Sequence, residues 1–297
     1  MKFAENVGGR PYSKDPAVVR FGDAYMMYYS RPPEREGGIW TIGIAASRDL
    51  ERFEVVGRIM PEHECERHGL CAPGAIVLGG RIHLFYQTYG NGRSDAICHA
   101  TSSDGLHFER DAQEPVFSPT GDWNCGRAID ADVIEFGGKL MMYFATRDPG
   151  MRVQMLGAAE AELDSGFGRG AWKQLGNGSI LRPELSWEQD CIEAPACCAY
   201  GGRIYMFYGG AYNNAPQQIG CAYSDDGVNF TRVSDAPFLP NGQPGSWNSS
   251  ESGHPFAFGH GGRYHLFFQG NCDNGRTWML SRREFAFADG MPVLLDG

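Results

Sequence analysis

The chain has 297 residues, of which 41 are glycine and 17 are proline. Glycine is therefore about twice as frequent as the roughly 7% of an average protein. Because 42% of the residues are hydrophobic and 12% aromatic, the chain can still form a packed core and is not a disordered tract. Frequent turns around a substantial core exclude helical bundles, coiled coils and collagen, and favour many short strands.

The charge of the chain limits its partners. Lys and Arg number 26 and Asp and Glu number 36, which gives a net charge of −10 without any basic cluster. We therefore expect neither nucleic acid nor an anionic membrane as a partner. No apolar run approaches the roughly 18 residues of a membrane span, and no signal peptide is visible at the start, so we predict a cytoplasmic location. The nine cysteines are odd in number and irregularly spaced, which indicates reduced thiols.

A turn containing glycine, followed by a run of β-branched, aromatic and methionine side chains, recurs along the chain. The turns of its five copies are Gly22-Asp23, Gly79-Gly80, Gly137-Gly138, Gly201-Gly202 and Gly261-Gly262. Counted at the second turn residue, the intervals are 57, 58, 64 and 60 residues. Self-similarity at a nearly constant period indicates a repeat architecture. We therefore predict a single domain over residues 1–297.

Each repeat contains the signals of two hairpins. A short apolar run precedes the glycine turn, as Ala75-Ile76-Val77-Leu78 does before Gly79. A second turn signal follows downstream, as in Ser103-Asp104-Gly105. Two hairpins make four strands, which is one propeller blade. The sequence therefore predicts an all-β fold, a five-bladed β-propeller with four antiparallel strands per blade.

A tryptophan recurs 15 residues before three of the turn markers, at Trp123, Trp187 and Trp247. Three copies in one register favour a role in packing the blades. Stacking against a sugar ring is the alternative.

The innermost strands of a propeller begin around its axis, and we call the space that they enclose there the funnel. Eight positions before the turn markers lie Asp15, Ala72, Asp130, Ala194 and His254. Glu193 directly precedes one of these positions. Acids at strand starts often cap turns, and that is the structural alternative. Three carboxylates that face one funnel would raise each other's pKa through repulsion and desolvation, which suits acid–base chemistry.

These residues resemble the three-carboxylate motifs of glycoside hydrolase family 43 and its furanosidase relatives, which are five-bladed propellers. The matching segments are Lys14-Asp15-Pro16, Ile129-Asp130 and Glu193-Ala194-Pro195. The resemblance implies an inverting hydrolysis in which one acid protonates the leaving oxygen while a base activates water on the opposite face. In this chain Asp15 would be the base, Glu193 the acid, and Asp130 would hold the pKa of Glu193 high and orient it.

The resemblance also implies residues that bind substrate. His254 stands where the family has a histidine near the funnel axis, often beside an ion, here calcium or sodium. The family's arginine for the terminal sugar corresponds to Arg276. We add Arg127, which would neutralise a carboxylate, bind a sugar hydroxyl or form a salt bridge outside the funnel, and His68, from a neighbouring loop. No metal or other cofactor is required by the reaction that the resemblance implies.

The function predicted first is an exo-acting glycosidase that releases a terminal pentose, of the α-L-arabinofuranosidase or β-xylosidase type, from plant-type glycans or oligosaccharides. One alternative is another sugar on the same fold, galactofuranose or an anhydro-galactose; in the latter group the acid can be a histidine, here His254. A second alternative is a propeller that binds carbohydrate without cleaving it. A carbohydrate is the expected partner in each case, and the sequence leaves the oligomeric state open.

Three other motifs have simpler interpretations. Arg147-Asp148-Pro149 matches a motif of the invertase-like relatives but follows the second strand of its blade, which favours a loop turn with Arg147 at the cleft rim. The segment from His63 to His68 resembles a zinc-binding helix, but Pro61 and Gly69 oppose a helix. Cys197 and Cys198 are consecutive on a predicted strand and would face opposite sides, so packing is expected for both.

Overall fold

A computed structural model describes residues 1–110 and 112–295. Residues 111, 296 and 297 of the predicted 1–297 domain lie outside this description. The described part is built almost entirely of β-strands, with two short 3-10 segments at Glu64–Glu66 and Gly92–Ser94. Within these ranges no helix is long and apolar enough to cross a bilayer.

The strands fall into five blades. Three short strands come first: β1 (Lys2–Phe3), β2 (Asn6–Val7) and β3 (Arg10–Pro11). Blade 1 follows with β4 (Lys14–Phe21), β5 (Ala24–Arg31), β6 (Thr41–Ser47) and β7 (Glu54–Ile59). Blade 2 contains β8 (Leu70–Leu78), β9 (Arg81–Thr88), β10 (Ile97–Ser102) and β11 (Glu109–Arg110).

The remaining blades repeat this order. Blade 3 contains β12 (Ile129–Phe136), β13 (Lys139–Arg147), β14 (Gln154–Glu162) and β15 (Lys173–Leu175). Blade 4 contains β16 (Ile192–Tyr200), β17 (Arg203–Gly210), β18 (Gln218–Ser224) and β19 (Thr231–Arg232). Blade 5 contains β20 (Glu251–His260), β21 (Arg263–Asn271), β22 (Met279–Ala288) and β23 (Met291–Leu294).

Each blade is an antiparallel sheet, and its first strand faces the axis. The inner strands β4, β8, β12, β16 and β20 contact one another in sequence, and β20 contacts β4 to complete the ring. The predicted all-β, five-bladed propeller with four antiparallel strands per blade is confirmed. The hairpin turn at Gly79 and Gly80 shows why glycine marks each blade, because both residues have positive φ, 55° and 75°.

Blade 5 closes the ring with a strand from the other end of the chain, which the repeat analysis did not predict. The short strand β1 pairs antiparallel with one half of β22, Lys2 opposite Ser281 and Phe3 opposite Leu280, while β23 pairs with the other half. The first and last blades are thereby held by backbone hydrogen bonds as well as by packing.

Hydrophobic cores lie between neighbouring blades. Residues alternate along each strand, so the two faces of one blade pack into different clusters. Cys197 and Cys198 illustrate this, because they are buried in two separate clusters, as their opposite directions predict. Trp187 packs in parallel with Tyr208 at 6.2 Å between ring centroids, and a Cβ at Gly210 would lie 2.2 Å from its ring. This contact is the one that the packing interpretation of the tryptophans predicts.

Candidate active site

A β-bulge begins the inner strand of every blade. In each first hairpin the register shifts at this point, so that one strand has an additional residue. The residue at the bulge has left-handed backbone in all five blades: Asp15 (φ 51°), Ala72 (46°), Asp130 (52°), Ala194 (51°) and His254 (40°). These are the positions that the turn register singles out. A bulge redirects the chain and its side chains, so the fold itself brings these residues to the funnel.

Side chains of neighbouring blades hold the bulges in place. Four bulge amides donate to an oxygen from the preceding blade: Ala72 to Ser30 (2.7 Å), Asp130 to Gln87 (2.8 Å), His254 to Gln217 (3.2 Å) and Asp15 to Gln269 (3.1 Å). These bonds satisfy amides that the register shift leaves unpaired within the blade. They also tie each blade to the next at the depth of the candidate site.

The imidazole of His254 lies between two of the predicted catalytic carboxylates. Its Nδ1 is 2.9 Å from Oδ1 of Asp15, and its Nε2 is 3.1 Å from Oε1 of Glu193. Burial works against a charge on His254, but the two carboxylates outweigh burial and raise its pKa well above 6.5. His254 and Lys14 likewise overcome the effect of burial on Asp15 and hold the pKa of that carboxyl below its usual range. The three groups form a buried carboxylate–imidazolium–carboxylate array.

Glu193 is surrounded by hydrogen-bond donors. Its Oε1 accepts from Gln217 at 2.7 Å and from Asn213 at 3.2 Å, besides facing Nε2 of His254, and its Oε2 accepts from Gln154. Burial raises the pKa of Glu193, but its bonds with His254 and Gln217 outweigh burial and lower it. The expectation that repulsion raises the pKa of every carboxylate in the funnel is therefore wrong for Glu193, and likewise for Asp15, because a cation lies between them.

For Asp130 the expectation of a raised pKa is correct. It is buried, and its Oδ2 has no hydrogen-bond partner among the described residues. Burial, with repulsion from Glu193 and Asp15 added to it, raises the pKa of Asp130 to about 7, although His254 and Arg127 act in the opposite direction. Asp130 is therefore the one of the three predicted catalytic carboxyls that exchanges a proton near neutral pH.

Further polar residues surround the array, and no motif or repeat signal in the sequence marks them as functional. Lys14 donates from Nζ to Oδ1 of Asn213 at 2.9 Å, and the same amide oxygen accepts from Gln269 at 3.0 Å. Gln269 also donates to Glu251, which is fully buried, and burial raises the pKa of Glu251 to about 7. Asn213 follows the second strand of blade 4, where no turn or repeat signal marks a functional residue.

Gln217 had one indirect signal in the sequence. Ser30, Gln87 and Gln269 share one position of the second strand, seven residues after the turn marker, and blades 3 and 4 have Ala145 and Gly209 there. A Cβ at Gly209 would lie 2.9 Å from Cδ of Gln217. The missing side chain thus makes room for Gln217, which lies later in the chain and accepts the hydrogen bond from the bulge amide of the next blade, that of His254. A glycine at a position that is polar in three of the five blades was the clue.

The Glu193 side of the funnel is bordered by two arginines. Arg147 donates from Nε to Oε1 of Gln154 at 2.8 Å, and Arg127 donates from Nη1 to the same oxygen at 3.4 Å. Nε of Arg127 lies 3.5 Å from Oδ2 of the buried Asp95. Arg127 therefore pairs with a carboxylate outside the array and also contacts Gln154, which donates a hydrogen bond to Glu193. Arg147, placed by sequence in a rim turn, ends β13 and reaches Glu193 through Gln154.

Two of the predicted substrate-binding residues lie at the exposed rim. His68 accepts a hydrogen bond from Nε of Arg67 at 2.8 Å and lies in the loop before β8. Arg276 is exposed in the loop before β22, and its carbonyl accepts from Arg10 at 3.2 Å. Among the described residues neither side chain makes a hydrogen bond to the three carboxylates. The structure thus brings together Asp15, Asp130, Glu193 and His254, places Arg127 beside them, and leaves His68 and Arg276 further out.

Aromatic rings occupy the rim between blades 5, 1 and 2. Tyr12 lies 6.0 Å from Trp40, and Trp40 lies 5.5 Å from Tyr89, measured between ring centroids. The ammonium of Lys14 is 4.5 Å from the ring centroid of Trp278. Such apolar faces beside polar groups are suited to the two kinds of surface that a sugar ring presents.

One group of side chains has the composition of a metal site. Ligand atoms of Asp130, Glu193 and His254 lie within 4.8 Å of one another, and no other such cluster is found in the described ranges, including the segment around His63. Calcium and sodium prefer oxygen ligands. The two carboxylates provide them, but both nitrogens of His254 face carboxylates and are not free to bind a cation. An ion here fits the carboxylate oxygens better than the imidazole.

Fold and site together define the class of molecule: a five-bladed propeller with an acidic, histidine-bridged funnel. Solved structures of the same fold include a thermostable family-43 glycoside hydrolase, with a TM-score of 0.78 and 18% identity over 99% of this chain and 96% of the other. An exo-1,5-alpha-L-arabinanase from a bovine ruminal metagenomic library has a TM-score of 0.73 and 17% identity over 99% of both chains. The resemblance to the family-43 propellers is confirmed at the level of the fold.

Sequence comparison adds a second propeller family. The model of the glycosyl hydrolases family 32 N-terminal domain matches residues 12–156. An uncharacterised protein of Mycobacterium tuberculosis is 28% identical over 206 residues, which cover 65% of this chain and 65% of that protein, just under two thirds of its length. A sucrose-6-phosphate hydrolase of Escherichia coli is 27% identical over 82% of this chain and 48% of its own length.

Proposed function

We propose that the protein is an inverting exo-glycosidase. The observation that carries the proposal is the buried array in which one imidazole separates the carboxylates of Asp15 and Glu193. The ring keeps the two carboxyls apart on its opposite sides, and the acid and base of inverting enzymes are likewise separated, by about 6.5–9.5 Å. Similarity to several glycoside hydrolases supports the same proposal.

The proposed reaction uses the charge states of the resting site. Asp15 is ionised and takes a proton from the attacking water, whose oxygen bonds to the anomeric carbon. The bond from that carbon to the leaving oxygen breaks, and Glu193 delivers a proton to this oxygen. Because Glu193 is ionised at rest, its proton comes from Nε2 of His254 along their 3.1 Å contact. Asp130, which retains a proton up to about pH 7, limits repulsion among the three carboxyl groups of the site.

The proposed substrate is a glycan or oligosaccharide with a terminal pentose, of the α-L-arabinofuranoside or β-xyloside type. Support comes from structures of the same fold that are described as an exo-1,5-alpha-L-arabinanase and as an alpha-L-arabinofuranosidase of Lactobacillus brevis. The aromatic rim around Trp40 and the bordering arginines offer the contacts that a sugar needs, and His68 and Arg276 are proposed to contact it from the rim.

A panel of nitrophenyl furanosides and pyranosides tests the activity. We expect hydrolysis of a pentoside, with losses in kcat of at least about a thousandfold for Asp15→Asn and Glu193→Gln while both variants retain the native fold. Gln113→Leu, at an exposed position of blade 2, serves as the control. Near-normal turnover in either acid variant, or a retained anomer in the fresh product, would overturn the mechanism.

A second candidate assigns the acid to His254 itself, as in the anhydro-galactose group of this fold. The favouring observation is that all four polar contacts of Glu193 come from potential donors. In this case Nε2 of His254 protonates the leaving oxygen directly, and Glu193 only orients the ring. His254→Ala would then abolish turnover while Glu193→Gln retains a measurable fraction; the reverse order supports Glu193 as the acid.

Calcium or sodium near His254 remains part of the proposal, as an ion held by the carboxylate oxygens of Asp130 and Glu193 rather than by the imidazole. Titration of the metal-free protein with CaCl₂ and NaCl, followed by thermal unfolding, tests it. We expect an increase in Tm with one of the two ions, and we expect Asp130→Asn to lose this increase.

If the protein binds sugars but Asp15→Asn does not change binding and no glycoside is cleaved, the non-catalytic alternative is correct.

A further inference from the structure

Four arginines meet around one loop at the funnel rim. This loop joins β13 to β14 in blade 3 and is taken here with the strand residues at its two ends, so that it spans residues 147–154. Arg147 and Arg152 belong to it, Arg93 of blade 2 donates to its Pro149 carbonyl at 2.9 Å, and Arg127 reaches its last residue, Gln154. These cations come from two blades and from separate segments of a chain whose net charge is −10.

Few carboxylates neutralise this group. The acid of the loop, Asp148, accepts hydrogen bonds from the backbone amides of Arg152 at 2.6 Å and Val153 at 2.8 Å, so its oxygens stabilise the turn. Asp95 pairs with Arg127 and is buried. In the part of the chain that the structure describes, no carboxylate oxygen lies within 4 Å of the side-chain nitrogens of the other three arginines.

The guanidinium of Arg147 is held in a defined orientation close to the reacting groups. Its Nε donates to Oε1 of Gln154, whose amide nitrogen donates to Oε2 of Glu193. Its face lies over the ring of Tyr212, with 5.3 Å from Cζ to the ring centroid. The two terminal nitrogens have no hydrogen-bond partner among the described residues. A fixed guanidinium with free terminal donors is the arrangement that binds a carboxylate or a phosphate through two hydrogen bonds.

We propose that the protein cleaves a glycosidic bond whose leaving group is anionic, bearing a carboxylate or a phosphate that Arg147 binds. The proposal rests on the proposed function, because the general acid stands next to the leaving oxygen. Side chains on the side of Glu193 that faces away from Asp15 therefore contact the leaving group rather than the terminal sugar. Arg93 and Arg152, which unlike Arg127 have no carboxylate partner among the described residues, raise the local positive potential that attracts such a group.

Binding measurements test the charge preference without relying on turnover. Asp15→Asn protein is titrated calorimetrically with glucuronate and galacturonate, with the 6-phosphates of glucose and galactose, and with the two neutral sugars. We expect at least one acidic sugar to bind about tenfold or more tightly than its neutral match, and this preference to shrink as NaCl increases. The uronate and phosphate arms show which anion is preferred.

Variants identify the residue. Adding Arg147→Gln to the titrated protein is expected to remove the tenfold preference, and Arg147→Lys, which keeps the charge but not the paired donors, to retain part of it. The matched control is Arg263→Gln, an exposed arginine at the opposite end of the axis. If Arg147→Gln does not fold, Arg127→Gln replaces it. Equal binding of acidic and neutral sugars, or a preference that neither variant changes, overturns the inference.

The outcome is separable from that of the proposed function. Hydrolysis of neutral nitrophenyl pentosides without any acidic preference would leave the glycosidase standing and overturn the anionic leaving group. An acidic preference that depends on Arg147, with no glycoside cleaved by the wild-type protein, would show anion recognition but overturn both the glycosidase and the assignment of the anion to a leaving group.

Discussion

His254 decides how charge is distributed among the acids of the funnel. An imidazolium between Asp15 and Glu193 keeps both ionised, whereas burial, with repulsion from these two carboxylates added, raises the pKa of Asp130, whose Oδ2 has no hydrogen-bond partner among the described residues. The site thereby holds two mobile protons at neutral pH, one on the ring and one on Asp130. A funnel of carboxylates without this ring would have to protonate more of them in order to fold.

Gln154 is a positioning residue for Glu193. In Gln154→Leu the Oε2 atom of Glu193 and the Nε of Arg147 lose their shared partner. Since a hydrogen bond to a charged group contributes about 1.5–3 kcal/mol, we expect kcat/KM to fall by about ten- to a hundredfold, with the limb of the pH profile that reports Glu193 displaced upward. Kinetics of Gln154→Leu and Gln154→Glu across pH measure this. A uniform loss with no displaced limb would indicate a purely structural role.

Asp130 should govern the alkaline side of the activity. As the pH rises through about 7, Asp130 loses its proton and adds a third negative charge to the funnel. We therefore expect kcat/KM to fall above about pH 7. In Asp130→Asn we expect this alkaline limb of the pH profile to move to higher pH, whatever the maximal kcat/KM of the variant. An alkaline limb at the same pH in both proteins would contradict the role.

At the scale of the elements, the inner strand with its bulge is the repeating unit that forms the site. All five bulge residues have left-handed backbone, yet none is glycine. A residue with a Cβ costs about 1–2 kcal/mol in this conformation. Two of the blades carry alanine there, without a polar group that could contribute to the array. The strain is common to all blades, while only three of them use it to present a polar side chain.

Ala72→Gly should therefore stabilise the protein. Glycine relieves the left-handed conformation of a buried position that carries no polar group, and we expect about 0.5–1 kcal/mol in urea unfolding. Ala75→Gly is the control on the same strand, where no positive φ is present and the change should destabilise by a similar amount. A loss of stability in Ala72→Gly would show that its methyl group contributes more by packing than it costs in strain.

A buried acid, Asp132, also links two inner strands, and its contribution to the stability of the protein depends on pH. Oδ2 of Asp132 on β12 accepts from the amide of Cys197 on β16 at 2.6 Å, and burial raises the pKa of Asp132 to about 7 from 3.8. Below 3.8 both the folded and the unfolded state hold the proton. Between 3.8 and about 7 the unfolded chain releases it while the folded protein retains it, so this group makes the protein less stable as the pH rises.

Asp132→Asn keeps an acceptor for Cys197 and removes the titration. Relative to wild type we expect little change at pH 4 and a gain that grows to roughly 2–4 kcal/mol at pH 8, since one pKa unit corresponds to about 1.4 kcal/mol. Urea unfolding at several pH values measures the difference. A difference that is the same at pH 4 and pH 8 would rule out the linkage.

At the scale of the whole molecule, the closure of the ring depends on the chain start. The strand β1 completes blade 5, and Phe3 packs against Tyr29 at 5.2 Å and Phe53 at 6.2 Å between ring centroids. Since Asp15 of blade 1 and His254 of blade 5 meet across this junction, its integrity also determines the geometry of the site.

Phe3→Ala should weaken this closure. We expect a loss of about 2–4 kcal/mol, at the lower end because the side chain is only partly buried. The control is Val293→Ala on β23, whose side chain is 46% exposed and whose loss should cost little. Equal effects of the two changes on urea unfolding would show that β1 is not part of the cooperative structure.

Much of the site could be predicted from the register of the repeats, because the bulge occurs at the same distance from every turn. Asp15, Asp130 and His254 follow from that spacing alone. Gln154, Asn213 and Gln217 do not, because they reach Glu193 from within or directly after connections of different length between the second and third strands of their blades, which carry no periodic signal. The pKa directions were equally inaccessible, since they depend on which side of the ring each carboxylate occupies.

The sequence by itself determined the number of blades, the hairpin turn that marks each of them and the positions of the residues that face the axis, because turn chemistry and alternation act over a few neighbouring residues. Only the tertiary structure decided that β1 joins the last blade and that His254 stands between Asp15 and Glu193. Both depend on how the ring closes, which brings together residues some sixty to more than two hundred positions apart. Contacts over such separations arise from the packing of all the blades at once, and no local pattern encodes them.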